Sequence, residues 1–149
     1  MRVLLQRVAR ARVEIGGEVV GAIDAGLLVF LAVYPADGDR EIAWMLDKLL
    51  NLRVFADAEG RMNLSVREIG GAVLLVSQFT LAGDTRHGRR PGFSAAAPPA
   101  QAEALYERFL ARLRVAHPLV AAGSFGADMQ VHLVNDGPVT LLVDTPPDS

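Results

Sequence analysis

The chain has 149 residues, enough for one domain with a sizeable core. It is 51% apolar and 21% charged, an ordinary globular balance, and its lack of cysteine excludes disulfides and thiol chemistry. A net charge of −2 exerts no global pull on nucleic acid, and neither a signal peptide nor a membrane-spanning run is legible, so a cytoplasmic protein without a membrane partner is expected.

Taken in chain order, VLLQRV (3–8), ARVEI (11–15) and EVVGAI (18–23) read as strands, the last two joined by a Gly16-Gly17 turn. GLLVFLAVY (26–34) is a continuous apolar run, as expected of a strand covered on both faces. A helix is predicted over 39–52, where Ile42, Met45, Leu46, Leu49 and Leu50 recur at helical spacing. VFAD (54–57) and MNLS (62–65) form a predicted hairpin, and AVLLVSQFTL (72–81) a second buried strand. A long polar loop from Gly83 to Pro99 exceeds ordinary connection lengths, a mark of functional or disordered segments. A second helix over 99–115 carries Ala102, Leu105, Tyr106, Phe109, Leu110 and Leu113 on one face, and strands at 129–135 and 138–145 close the chain before a frayed tail, 146–149.

Twice an apolar strand leads through a loop and an amphipathic helix to another strand. Right-handed crossovers put both helices on one side of a sheet, leaving the alternating strands to cover the other. The predicted class is α/β: one domain over 1–149, in a three-layer β/β/α arrangement of mixed sheets with two main helices.

Side-chain chemistry is sparse. His87, His117 and His132 are far apart, with no neighbouring ligands at metal spacing, and His132 reads as a structural histidine in a strand. No phosphate-binding loop, dinucleotide fingerprint or nucleophile elbow is present, so neither metal nor cofactor is expected. Ser77 and Thr80 in SQFT lack an adjacent base, although backbone N–H groups at a strand end could form an oxyanion hole. DTRHGRRPGF (84–93) concentrates Arg86, Arg89 and Arg90 against one acid, either a solvated loop or a phosphate-contacting patch. In NDGPVT (135–140), Gly137 and Pro138 interrupt two strand patterns that neither residue favours.

SQFTL (77–81), DTRHGRRPGF behind it and FGADMQVHLVNDGPVT (125–140) resemble the D-aminoacyl-tRNA deacylases. The resemblance continues through LLQRVARARVEIGGEVVGAI, NLRVFADAEGRMNLS and AAPPAQAEALYERFL, covers essentially the whole chain and departs from neither motif. It implies a homodimer that hydrolyses the ester of D-aminoacyl-tRNA, releasing amino acid and tRNA, with an active site at each subunit boundary. A Gly137-Pro138 cis element would enter the partner's pocket. There its carbonyls would hold the substrate ammonium while its backbone rejects L side chains, leaving glycyl-tRNA acceptable.

Arg7 matches the arginine that braces this element. Ser77, Gln78, Phe79 and Thr80 would line the ester end, with Phe79 and Thr80 N–H groups as oxyanion donors. Phe125 and Met129 match positions beside the terminal adenosine. Arg86, Arg89 and Arg90 would meet tRNA phosphates. With no side-chain base evident, the ribose 2′-hydroxyl would assist catalysis. A Thr80 nucleophile, or a noncatalytic tRNA-binding module, are the alternatives.

Overall fold

The computed structural model describes residues 1–147. Eight strands and two helices follow in the order β1 (Arg2–Ile15), β2 (Glu18–Ile23), β3 (Gly26–Ala32), α1 (Asp39–Asn51), β4 (Phe55–Ala56), β5 (Met62–Leu64), β6 (Ala72–Ser77), α2 (Pro99–Ala116), β7 (Val120–Ala122) and β8 (Gln130–Asp144). One six-stranded sheet runs β2-β1-β3-β6-β7, with β8 on the other side of β1; β4 and β5 form a separate hairpin. The expected α/β class with two main helices is found. The expected tail begins with Pro146 and Pro147 outside any element, while 148–149 lie outside the described residues.

The parallel pair β3 and β6 sits at the centre and is buried on both faces. Leu27, Val29 and Leu31 of β3, with Val73 and Leu75 of β6, point into one core, where they meet the apolar faces of both helices. Leu28, Leu74 and Val76 point the opposite way into a second, smaller core. This two-sided burial is why these strands read as unbroken apolar runs. The first core includes Ile42, Met45 and Leu49 of α1 and Leu105, Phe109 and Leu113 of α2. Both helices therefore lie on one side, as right-handed crossovers require.

The second core is closed by the sheet folding over itself. The sequence predicts separate strands at 3–8 and 11–15, but the structure has one bulged strand. Val3 and Leu5 of β1 enter the first core; Val8, Ala11 and Val13 enter the second. Ala9 is the extra residue, lying between the pairs Val8↔Asn135 and Arg10↔Val134. A bulge bends its strand and shifts the alternation by one, which carries the far half of β1 into another layer. There β2 crosses β7 so closely that a Cβ on Gly21 would stand 2.7 Å from the Ala122 carbonyl oxygen.

Three further differences have local causes. β7 was not predicted, because a three-residue strand between Pro118 and Gly123 has no period to detect. β6 ends at Ser77 rather than Leu81, and Phe79–Ala82 turn as a short 3-10 helix. The strands predicted at 129–135 and 138–145 are one strand, β8, with an internal excursion.

Gly26 opens β3 where a Cβ would lie 1.9 Å from the Ala72 carbonyl oxygen of the neighbouring strand. Backbone on both sides leaves nothing flexible to retreat. Gly26→Ala should therefore destabilise by about 3 kcal/mol, at the upper end of overpacking costs. For a chain of this size that lowers Tm by roughly 6–12 °C, and a melt within about 2 °C of wild type would refute this packing.

Candidate active site

A cavity of about 710 Å³ opens where β6 runs out. Ser77, Gln78 and Phe79 form one wall; Phe93, Ser94 and Ala96–Pro99 of the long loop form another; Phe125, Met129 and Val131 form the third. The Gln78 N–H donates to Leu31 O at 2.7 Å, which holds the strand end to β3 before the chain turns. Phe79 and Thr80 begin the 3-10 turn, whose leading N–H groups have no acceptor within the turn itself. Phe79 is 57% exposed, and its ring meets Phe93 edge-on at 5.1 Å. Behind the cavity, Phe125 rests on Tyr106 at 5.8 Å. Burial pushes the Tyr106 phenol up to about 12, so at neutral pH it keeps its proton and cannot act as a base.

Among the described residues, no ionisable side chain lines this cavity. Its polar groups are the Ser77 and Ser94 hydroxyls, the Gln78 amide and backbone. Thr80 does not line it; its Oγ1 accepts a hydrogen bond from Gln78 Nε2. The structure thus brings Ser77, Gln78, Phe79, Phe125 and Met129 together from two segments, with the long loop closing the third side. It leaves Arg7, Gly137 and Pro138 elsewhere.

Those three residues form a second constellation. On β1 and β8, Gln6 pairs with Thr140 and Val8 with Asn135, so residues 136–139 bulge out opposite Arg7 alone. The Gly137-Pro138 peptide within this excursion is cis. Arg7 Nε donates to Asp136 O at 2.7 Å and Nη1 to Val54 O at 2.7 Å, tying the excursion to the segment after α1. A side chain on Gly137 would place Cβ 2.4 Å from Val139 N, so only glycine fits. Asn135, to which sequence patterning assigns no role, receives the Val139 N–H on Oδ1 at 2.9 Å and donates Nδ2–H to Val139 O at 3.1 Å. The signal for it is an Asn two residues before the Gly-Pro pair, a residue whose side chain competes for local backbone.

In one chain the two constellations do not meet. Arg7 pairs with Leu27 and Ser77 with Leu31, so the levels differ by four residues along the sheet. At about 3.3 Å per residue and about 4.8 Å for each strand spacing from β8 to β6, the excursion lies roughly 20 Å from Ser77.

The basic loop is closed by paired backbone hydrogen bonds between Asp84 and Gly92 at 2.7 and 2.9 Å. Arg86 folds back on Asp84, donating from Nη2 and Nε at 2.7 and 2.9 Å. Those bonds, with the Arg86 backbone N–H, hold the Asp84 carboxyl below its usual range and raise Arg86 in return. Arg89 and Arg90 are exposed, and neither has an ion pair among the described residues. Outside these regions, His132 Nε2 lies 3.3 Å from Glu14 Oε2 without hydrogen-bond alignment. No described helix is long and apolar enough to cross a membrane.

Known proteins share this arrangement. Two relatives called D-aminoacyl-tRNA deacylase, from Pseudomonas paraeruginosa and Stutzerimonas stutzeri, are 65% and 61% identical to it, each over 97% of this chain and 99% or 100% of their own length. A solved structure named "c-Myc DNA Unwinding Element Binding Protein" superposes with a TM-score of 0.94 at 43% identity, over 99% of this chain and 100% of its own. A probable eukaryotic D-amino acid tRNA deacylase shares the fold, with a TM-score of 0.85 at 22% identity, over 97% of this chain and 98% of its own. The family model described as D-Tyr-tRNA(Tyr) deacylase matches residues 4–144, from the start of β1 to the end of β8 and through both constellations. By that match and those identities, the chain belongs to the D-Tyr-tRNA(Tyr) deacylase family.

Proposed function

We propose that the protein is a homodimer of single-domain subunits that hydrolyses the ester of D-aminoacyl-tRNA to free amino acid and tRNA, accepts glycyl-tRNA and spares L-aminoacyl-tRNA. The observation that carries the mechanism is a cavity lined, among the described residues, by no ionisable side chain. Such a pocket offers no general base and no activated nucleophile. At its edge the Phe79–Thr80 turn leaves N–H groups with no acceptor in the turn, candidates for the negative charge that develops on an ester oxygen under attack. The proton chemistry then falls to the substrate, whose ribose 2′-hydroxyl lies beside the ester and assists water or the leaving oxygen. Phe125 and Met129 would pack against the terminal adenosine.

Selection is assigned to the Gly137-Pro138 excursion of the other subunit. Two observations support a dimer. The excursion stands roughly 20 Å from Ser77 of its own chain by strand geometry. And β8 bonds only to β1, leaving a sheet edge on which Leu133, Val134, Leu141 and Leu142 are exposed. An unpaired edge with apolar side chains is a liability that a second copy removes. In the composite site, carbonyls of the excursion hold the substrate ammonium, and chirality then directs an L side chain into the partner's backbone.

Rejection cannot distinguish a substrate that has no side chain. Deacylation of glycyl-tRNA should therefore accompany that of D-alanyl-tRNA. L-alanyl-tRNA should be slower by more than about 200-fold, beyond what one methyl yields in an attractive pocket. Glycyl-tRNA as resistant as L-alanyl-tRNA would mean that the site holds the D side chain by positive contacts.

Thr80→Ala removes the hydroxyl bonded to Gln78 but no backbone donor. Its activity should stay within about tenfold of wild type, the scale of one neutral hydrogen bond. Abolished turnover in a folded dimer, restored by Thr80→Ser, would support a threonine nucleophile. Because Arg86 is committed to Asp84, the phosphate contacts fall to Arg89 and Arg90. Replacing both should weaken tRNA binding and reduce the slope of log K against log salt by about 1.5, leaving the D-to-L ratio intact. An unchanged slope would return the loop to a solvated surface.

A further inference from the structure

The side chain of Asn135 is the part of the excursion to which neither the cavity nor the Arg7 brace assigns a task. Its carboxamide uses both ends. Oδ1 accepts the Val139 N–H at 2.9 Å, while Nδ2 donates to Val139 O at 3.1 Å and to Thr140 Oγ1 at 3.2 Å. These are the bonds that an opposing strand residue would make, supplied here by a side chain within the same strand. β1 cannot supply them, because Arg7 alone faces residues 136–139. Arg7 in turn holds only the entry of the excursion, through Asp136 O at 2.7 Å. Val139, the one buried residue of the protrusion, is thereby pinned at the exit.

We propose that Asn135 is a specificity-determining positioning residue: by clamping Val139 it sets the direction of the Gly137 and Pro138 backbone, and so the exclusion of L substrates. The inference rests on the functional reading above and deepens it. With Arg7 at one end and Asn135 at the other, the segment between has two fixed anchors and no freedom to pivot. Removing one anchor turns a rigid wall into a hinged one. A hinged wall yields to an L side chain, whereas a D side chain, which never meets the wall, is indifferent to it. Asn135 touches no reacting atom in this scheme and acts through the backbone alone.

The test compares deacylation of D-alanyl- and L-alanyl-tRNA by wild type, Asn135→Ala and Asn135→Asp, each checked for dimer and melting temperature. Asn135→Asp keeps an acceptor for the Val139 N–H but sets a carboxylate oxygen against the Val139 carbonyl, breaking the clamp at nearly unchanged volume, and it decides the matter if the alanine variant does not fold. The expected result is a rise of at least tenfold in the absolute rate on L-alanyl-tRNA, with kcat/KM for D-alanyl-tRNA changed far less. A gain of activity on the excluded substrate is a readout that mere loosening of the fold does not produce. Unchanged selectivity in folded variants, or rates on both substrates falling in step, would overturn the inference while the wild-type selectivity still stands. A wild-type enzyme inert toward D-alanyl-tRNA would instead overturn the functional reading, and this inference with it.

Discussion

Everything in this molecule is arranged around two parallel strands that are buried on both faces. Each fully buried Leu or Val of β3 and β6 contributes about 1.5–3 kcal/mol by leaving water, but only if something covers the face it points from. Helices α1 and α2 cover one face. The other needs a second layer, and no further α-helix among the described residues provides it. The chain solves this by bending β1 at Ala9 and folding β2, with the far half of β1 and the first half of β8, back over Leu28, Leu74 and Val76. The cost is one unpaired residue and one inverted alternation. The gain is a closed second core.

The candidate site follows from where that covering stops. β6 outlasts its neighbours by little: Gln78 is the last residue held to β3, and Phe79–Ala82 then turn away. The strand end emerging from two cores lies in an apolar setting, walled by Phe93, Phe125 and Met129. Electrostatic interactions there are stronger than in water, so a few N–H groups and hydroxyls can act on developing charge without an ionised side chain. The same burial that stabilises the fold gives the cavity its apolar walls.

The Gly-Pro excursion is possible for the opposite reason. β8 lies at a margin of the sheet, bonded only to β1, so its backbone can leave the ladder without disrupting strands on both sides. Three of the polar groups freed by leaving are still answered: Arg7 donates to the Asp136 carbonyl, and Asn135 bonds both the N–H and the C=O of Val139. A guanidinium donating to backbone carbonyls makes charge-assisted bonds, stronger than the neutral ladder bonds they replace. The protrusion is therefore ordered, although it belongs to neither core.

Local chemistry was legible in the sequence because it is short-ranged. The apolar stripes of α1 and α2, the two unbroken strand runs and the long basic loop all rest on residue type and period, and the structure has each of them. SQFT and NDGPVT stood out as motifs on the same grounds. What local pattern could not contain was partnership. That 3–8 and 11–15 are one strand depends on a bulge whose partner, β8, lies more than a hundred residues further on. That Ser77, Phe93 and Phe125 share a cavity depends on strand order, and Asn135 acquires a task only because Arg7 alone faces the excursion. By itself the sequence determined which segments are helix or strand and which faces must be buried, since both follow from the chemistry of neighbouring residues. Only the tertiary structure decided which distant segments meet, because pairing across a sheet is set by long-range packing that no local period records.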